Sequence, residues 1–175
     1  MKKIIAYLIV LGAIITQVSF AQSKTPDPAS ADFITNATVA NMKEIVTGKL
    51  AGTKAKDAEV KKYGDQMVEH HKMATKQMMA LVKAKGYKLP KPPVEAAAPD
   101  SMLVNASGAE FDRMYMTMMV ADHQKTIELF ETATHTVPEP DLKAFAVKTL
   151  PLLKQHLVQA QAIVSKLGTT GAVTQ

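Results

Sequence analysis

Four prolines between residues 87 and 106, Pro90, Pro92, Pro93 and Pro99, interrupt a chain that otherwise repeats its apolar residues at helical spacing. Proline has no amide hydrogen to donate and its ring clashes with the preceding turn, so no long helix runs through such a stretch. Two segments with helix-end signals lie on each side of it. Segment one spans about Ala31 to Lys54 behind Ser30 as N-cap, and segment two follows Asp57 as N-cap and stops at Gly86. Segment three opens at Ser107 with Glu110 three residues on, the pattern of a capping box. Segment four starts near Pro140 and ends at Gly168. The joint within each pair is short, whereas Tyr87 to Ala106 is expected to be an extended crossover.

The two halves repeat. A shift of 82 residues lays Glu59-Val60-Lys61-Lys62-Tyr63 on Asp141-Leu142-Lys143-Ala144-Phe145 and Gly86 on Gly168; a shift of 78 lays Phe33 on Phe111 and Glu44 on Asp122. One hairpin used twice places a pseudo-twofold axis through the core. The expected fold is therefore all-α: a ferritin-like four-helix bundle made of two helical hairpins joined by a long Pro-rich crossover.

At its amino end the chain carries Met1-Lys2-Lys3, an apolar run from Ile4 to Ile15, and Ser19-Phe20-Ala21, the three parts of a secretory signal peptide with cleavage near Ala21. The apolar run is shorter than the roughly 20 residues needed to span a bilayer. The domain organisation expected is a signal peptide at 1–21, a flexible lead at 22–30, the bundle domain at 31–168 and a flexible tail at 169–175. An exported protein of the periplasm or outer envelope follows. Loss of Lys2 and Lys3 lowers the net charge from +5 to +3, so the basic character is a weak argument for a nucleic-acid partner, and none is expected. The scattered lysines read as solvated helix faces; envelope contacts open to such a surface are the anionic membrane, another envelope protein, or a second copy in a homo-oligomer.

Chemistry is bounded by composition. With no cysteine, iron–sulfur clusters, thiolate zinc sites, c-type haem attachment and a cysteine nucleophile are excluded, and any metal falls to His, carboxylate or Met. No Ser/His/Asp triad or phosphate-binding glycine loop is present. Placed at about 100° per residue, the buried stripe of segment two contains His71 and that of segment four contains His156. The stripe of segment three, Phe111, Tyr115, Met118, Asp122, Leu129, Ala133, contains Asp122, and Glu44 holds the equivalent place in segment one. All four lie near mid-helix. Isolated charge in an apolar core costs several kcal/mol, so these groups must pair with each other or with a cation. Two carboxylates and two imidazoles suit a single Zn, Mn, Fe or Cu ion. The alternative is two hydrogen-bonded Asp/Glu–His pairs that fix helix register.

Around this set, His70 and His123 at the stripe edges are candidate supporting or alternative ligands, and Glu69 faces water. A di-iron bundle would need Glu-x-x-His on two helices; Val68 and Leu153 stand three residues before His71 and His156, so no such centre is expected. Methionines crowd the same level, Met67, Met73, Met78 and Met79 on one segment and Met114, Met116, Met118 and Met119 on another. Thioethers favour Cu(I), and they also fill cores. Pro151 interrupts the hydrogen bonding of segment four about one turn before His156.

The same residues carry a resemblance. Met67-Val68-Glu69-His70-His71, Gly86-Tyr87-Lys88-Leu89-Pro90, Phe111-Asp112-Arg113-Met114-Tyr115-Met116, Met119-Val120-Ala121-Asp122-His123, and Thr149-Leu150-Pro151 running to His156-Leu157 make the chain similar, over about residues 31 to 167, to domain-of-unknown-function family 4142, exported bacterial proteins. The resemblance implies a ferritin-like fold and an envelope location, and no activity. His70 stands where that family usually has Asp. Met67 to Met79 is also similar, more weakly, to the Met/His-rich exported family 305, for which copper binding has been proposed. Three functions stay open at this point: metal handling or stress protection with one bound ion, a metal-free envelope protein with a hydrogen-bonded polar core, and an oxidase, which the missing Glu-x-x-His motifs disfavour.

Overall fold

A computed structural model describes residues 24–90 and 92–171; the expected signal peptide at 1–21 lies outside the described residues. Five helices follow one another: α1 (Pro28–Lys54), α2 (Ala58–Ala84), α3 (Ser101–Asn105), α4 (Gly108–Thr136) and α5 (Pro140–Gly171). Helices α1 and α2 pack as one hairpin and α4 and α5 as another, while α1 also packs on α4 and α2 on α5. The fold is all-α, as expected, with the four long helices packed as two hairpins.

Helix ends follow local chemistry, with several departures from the sequence reading: α5 runs past the expected stop at Gly168 to Gly171, and α1 begins inside the expected lead, at Pro28. Asp27, not Ser30, caps α1, its carboxylate accepting the Ser30 amide at 2.9 Å, with Pro28 at the first helical position. Lys24 exchanges backbone hydrogen bonds with Gly86 and Lys88, at 3.0 and 3.1 Å, so part of the lead is tied to the start of the crossover. Ser107 precedes α4 without any side-chain capping bond. The crossover is not wholly extended: a 3₁₀ turn at Val94–Ala97 packs on α1 and short α3 packs on α4, burying Ala97 and Leu103. Asp57 caps α2 as expected, and α2 stops at Gly86, whose φ of 68° lets the Gly86 and Tyr87 amides reach the Lys83 and Val82 carbonyls.

Each hairpin turn is held by the other hairpin. Asp112, buried at the start of α4, accepts the Lys56 and Asp57 amides of the α1–α2 turn at 3.0 and 2.9 Å. Lys85, at the end of α2, pairs with Glu139 and Asp141 at the α4–α5 turn, at 2.8 and 2.6 Å. Tyr87 adds a hydroxyl bond to Glu139 at 3.2 Å.

The apolar core is split in two. One cluster, at the α1–α2 turn end, contains Val60, Tyr63, Met67, Phe111, Tyr115, Met116 and Met119. The other, at the opposite end, contains the edge-to-face ring pair Phe33–Phe130, with Phe145, Leu142 and Leu153. Between them lies a buried polar layer of Asn41, Glu44, Thr47, His71, His123 and His156. Pro151 sits on the exposed side of α5, where the carbonyl it leaves unbonded belongs to exposed Val147.

Helices α1 and α2 touch backbone to backbone at Gly48 and Gly64. A Cβ on Gly64 would meet Ala51 Cβ at 2.6 Å and the Gly48 carbonyl at 2.9 Å, whereas one on Gly52 would meet only Asp65 Oδ1, at 3.7 Å. Gly64→Ala should therefore lose stability, since overpacking costs ~1–3 kcal/mol against a helix-propensity gain of at most ~1 kcal/mol. Gly52→Ala should gain up to ~1 kcal/mol. Denaturant midpoints of the two variants should move in opposite directions from the parent; a shared direction would mean the close approach does not govern the interface.

Candidate metal centre

The buried layer draws one group or more from every long helix. His71 sits on α2, His123 on α4 and His156 on α5, all at 4% exposure or less, and one ring nitrogen of each lies within 4.8 Å of the other two. His123 rather than Asp122 turns inward. The sequence stripe through Met118 and Asp122 is rotated by one residue from the buried face, which runs Phe111, Tyr115, Met119, His123, Ile127, Phe130. Asp122 instead pairs with Lys43 at 2.6 Å and is 17% exposed.

Hydrogen bonds fix which nitrogens are free. His123 Nδ1 donates to the Met119 carbonyl at 2.9 Å, so its Nε2 carries the lone pair, 3.3 Å from His156 Nδ1. His156 Nε2 lies 2.8 Å from Nδ1 of half-buried His70, with the two rings stacked. His71 Nδ1 donates to Asn41 Oδ1 at 2.8 Å. That leaves His71 Nε2 buried with no hydrogen-bond partner. Each core imidazole thus has one nitrogen oriented by a neighbour, and His123 Nε2 and His156 Nδ1 face each other, an arrangement like the one outer-shell bonds give to metal-binding histidines. Tyr63, beside this layer, donates its hydroxyl to the His156 carbonyl at 3.2 Å.

Glu44 adjoins the trio. Its Oε1 lies 4.0 Å from His123 Nδ1, and its Oε2 is buried without a hydrogen-bond partner. Burial, with Asp122 nearby and Lys43 opposing, pushes the Glu44 carboxyl up to about 8. With burial also holding His123 below the ordinary imidazole value, the 4.0 Å contact is one between neutral groups. Burial, then the charges of His123 and His70, holds His156 down at about 3. Burial also lowers His71 well below the ordinary imidazole value, with the three other histidines adding to it, and lowers His123 despite its Met119 bond and Asp122.

Of the residues singled out from sequence, the structure thus brings His71, His123 and His156 together, with Glu44 beside them and His70 one hydrogen bond behind. Asp122 stands outside on its lysine. Asn41, which orients His71, carried no signal beyond a polar residue one turn before Glu44. Methionines divide: Met67, Met78, Met116 and Met119 are fully buried core, whereas Met73 and Met79 are exposed.

Over residues 16–163 the sequence matches the family described as "Domain of unknown function (DUF4142)". The chain belongs to the DUF4142 family. No curated protein matches it. In structure this DUF4142 chain is similar to a DUF305 protein of Streptomyces coelicolor, described as a candidate secreted protein, at a TM-score of 0.68 and 15% identity over 80% of this chain and 94% of that one. A DUF305 fragment of Deinococcus radiodurans is similar at a TM-score of 0.70 and 11% identity over 82% of this chain and 99% of that one. At these identities the likeness is one of fold. Among the described residues no helix of this DUF4142 protein is long and apolar enough to cross a membrane.

Linkage gives the layer a pH signature in chelator-treated protein. A buried base whose pKa is lowered on folding contributes stability above its unfolded value, near 6.5 for His156, and that contribution is lost as pH falls toward 3. Glu44 acts oppositely, losing stability as pH rises from 4.5 toward 8. Each group contributes at most ~1.4 kcal/mol per pH unit, and three imidazoles outweigh one carboxyl. The denaturant midpoint should therefore fall between pH 7 and pH 5, and fall less in His156→Phe. An equal fall in both would place the acid sensitivity elsewhere.

Proposed function

We propose that this DUF4142 domain is an exported metal-binding protein that holds one transition-metal ion through His71 Nε2, His123 Nε2 and His156 Nδ1, with Glu44 as the adjoining carboxylate. The observation that carries this reading is the orphaned lone pair of His71 Nε2 in a group of three convergent buried imidazoles. Leaving such an acceptor buried and unmade costs about 1–3 kcal/mol, and a cation removes that cost.

Dimensions support it. With metal–nitrogen bonds of about 2.0–2.1 Å, the edge of a tetrahedron is roughly 3.4 Å, and His123 Nε2 and His156 Nδ1 are already 3.3 Å apart. Three imidazoles and a carboxylate suit Zn, Cu, Mn or Fe. In the metal-free protein His156 Nδ1 carries the proton facing His123, so loading requires the other tautomer, with Nε2–H donating to His70. The partner for that exchange is already in place at 2.8 Å.

Export is supported by the amino-terminal signal pattern, and the role that fits a closed, protein-liganded ion is metal handling or envelope stress protection. Elemental analysis after exposure to Zn, Cu, Mn and Fe, on protein made without a histidine tag, should find about one ion per chain. His71→Ala/His156→Ala should abolish it, and Met73→Leu should not. Equal, negligible metal in parent and double variant would leave the layer a structural hydrogen-bonded network.

A further inference from the structure

Glu44 faces two environments at once. On one side it adjoins His123 in the buried layer; on the other it lines a surface cavity of about 210 Å³ between α1 and α4, together with Asn36, Lys43, Asp122, Lys125 and Thr126. Its Oε2 has no hydrogen-bond partner although the residue is only 4% exposed. Among the described residues no other side chain belongs both to this cavity and to the polar layer.

Above it on the same two helices lies the Lys43–Asp122 ion pair. Lys43 precedes Glu44 and Asp122 precedes His123, so the outer pair and the inner contact are offset by one residue on each helix. Lys43 and Asp122 are 31% and 17% exposed, with the paired Asp122 Oδ2 itself turned inward, so the bond stands between the cavity and the layer. The opposite face of the bundle offers another approach, through half-buried His70 and the Gln66–Gln159 hydrogen bond of 3.2 Å. The carboxylate on that face, Glu59, is held by Lys166 at 2.7–2.8 Å, whereas on the α1–α4 side two carboxylates, Asp122 and Glu44, run from the cavity to the layer, and carboxylate oxygens are ligands for divalent cations.

Resting on the metal-binding reading above, we propose that the α1–α4 cavity is the cation entry of the bundle. Asp122 captures the incoming ion in exchange for Lys43, and Glu44 passes it to the three histidines. Asp122 is then a station on the path and not a ligand of the resting ion, and Lys43 is its competitor. A path residue changes loading and release by the same factor, because both directions cross the same barrier. A ligand of the resting ion changes mainly release.

The test is stopped-flow loading of the metal-free protein with Co(II), followed by its visible absorption, and chelator-driven release from the loaded protein. Asp122→Asn should slow both by about tenfold, the low end of what a charged site contributes to association rates, and Lys43→Gln should speed both. Gln66→Glu, which puts a carboxylate on the opposite approach, should leave the loading rate within about twofold of the parent. Circular dichroism confirms the fold of each variant. Release changed alone in Asp122→Asn would make it a ligand and overturn the entry role, as would parental rates in both outer variants, or a rate change confined to Gln66→Glu. A parent that takes up no Co(II) at all would remove the metal-binding reading itself, and the entry with it.

Discussion

Everything in this bundle is arranged around one cost, that of burying polar groups halfway along four apolar helices. Water satisfies a surface histidine without help; a histidine at 1% exposure between two hydrophobic clusters must find its partners in the protein. The Asn41 bond to His71, the Met119 carbonyl under His123 and the His70 stack behind His156 are the partners found. They leave two polar atoms without hydrogen-bond partners in the layer, His71 Nε2 and Glu44 Oε2, and both belong to groups of the kind that bind metal.

The same cost explains the protonation states. With Glu44 held up near 8 and the imidazoles held down, the layer carries no net charge near neutral pH. Lys43 and Asp122 stand outside it, paired with each other at 2.6 Å. Charge is thus graded across the α1–α4 face, ionic at the rim and neutral inside.

Much of this is legible in the sequence, for identifiable reasons. Proline and helix-end chemistry act locally, so the hairpins, the Asp57 cap and the Gly86 stop can be read directly, and strongly apolar stripes put His71 and His156 in the core. α4 misled because Met118 and Met119 are both apolar, and with Asp122 and His123 adjacent either pair completes a stripe; a 100° rotation about the axis decides between them. That rotation is set by packing on α1, where Lys43 offers Asp122 a partner only on the outside. Ser107 shows the converse: its capping-box pattern is present, yet its side chain makes no capping bond. The crossover folded more than its prolines suggested because Ala97 and Leu103 find apolar surface to cover, a tertiary effect with no local signature.

The reciprocal turn clamps bear on how such a chain comes together. The amides of residues 56 and 57 wait for Asp112, more than fifty positions later, and the acidic α4–α5 turn is gripped by Lys85 from the preceding half. Each hairpin caps its own helices, yet each turn also takes side-chain bonds from the other half. The two halves thus depend on each other at their turns, and the long crossover is the tether that keeps them at high effective concentration while those contacts form.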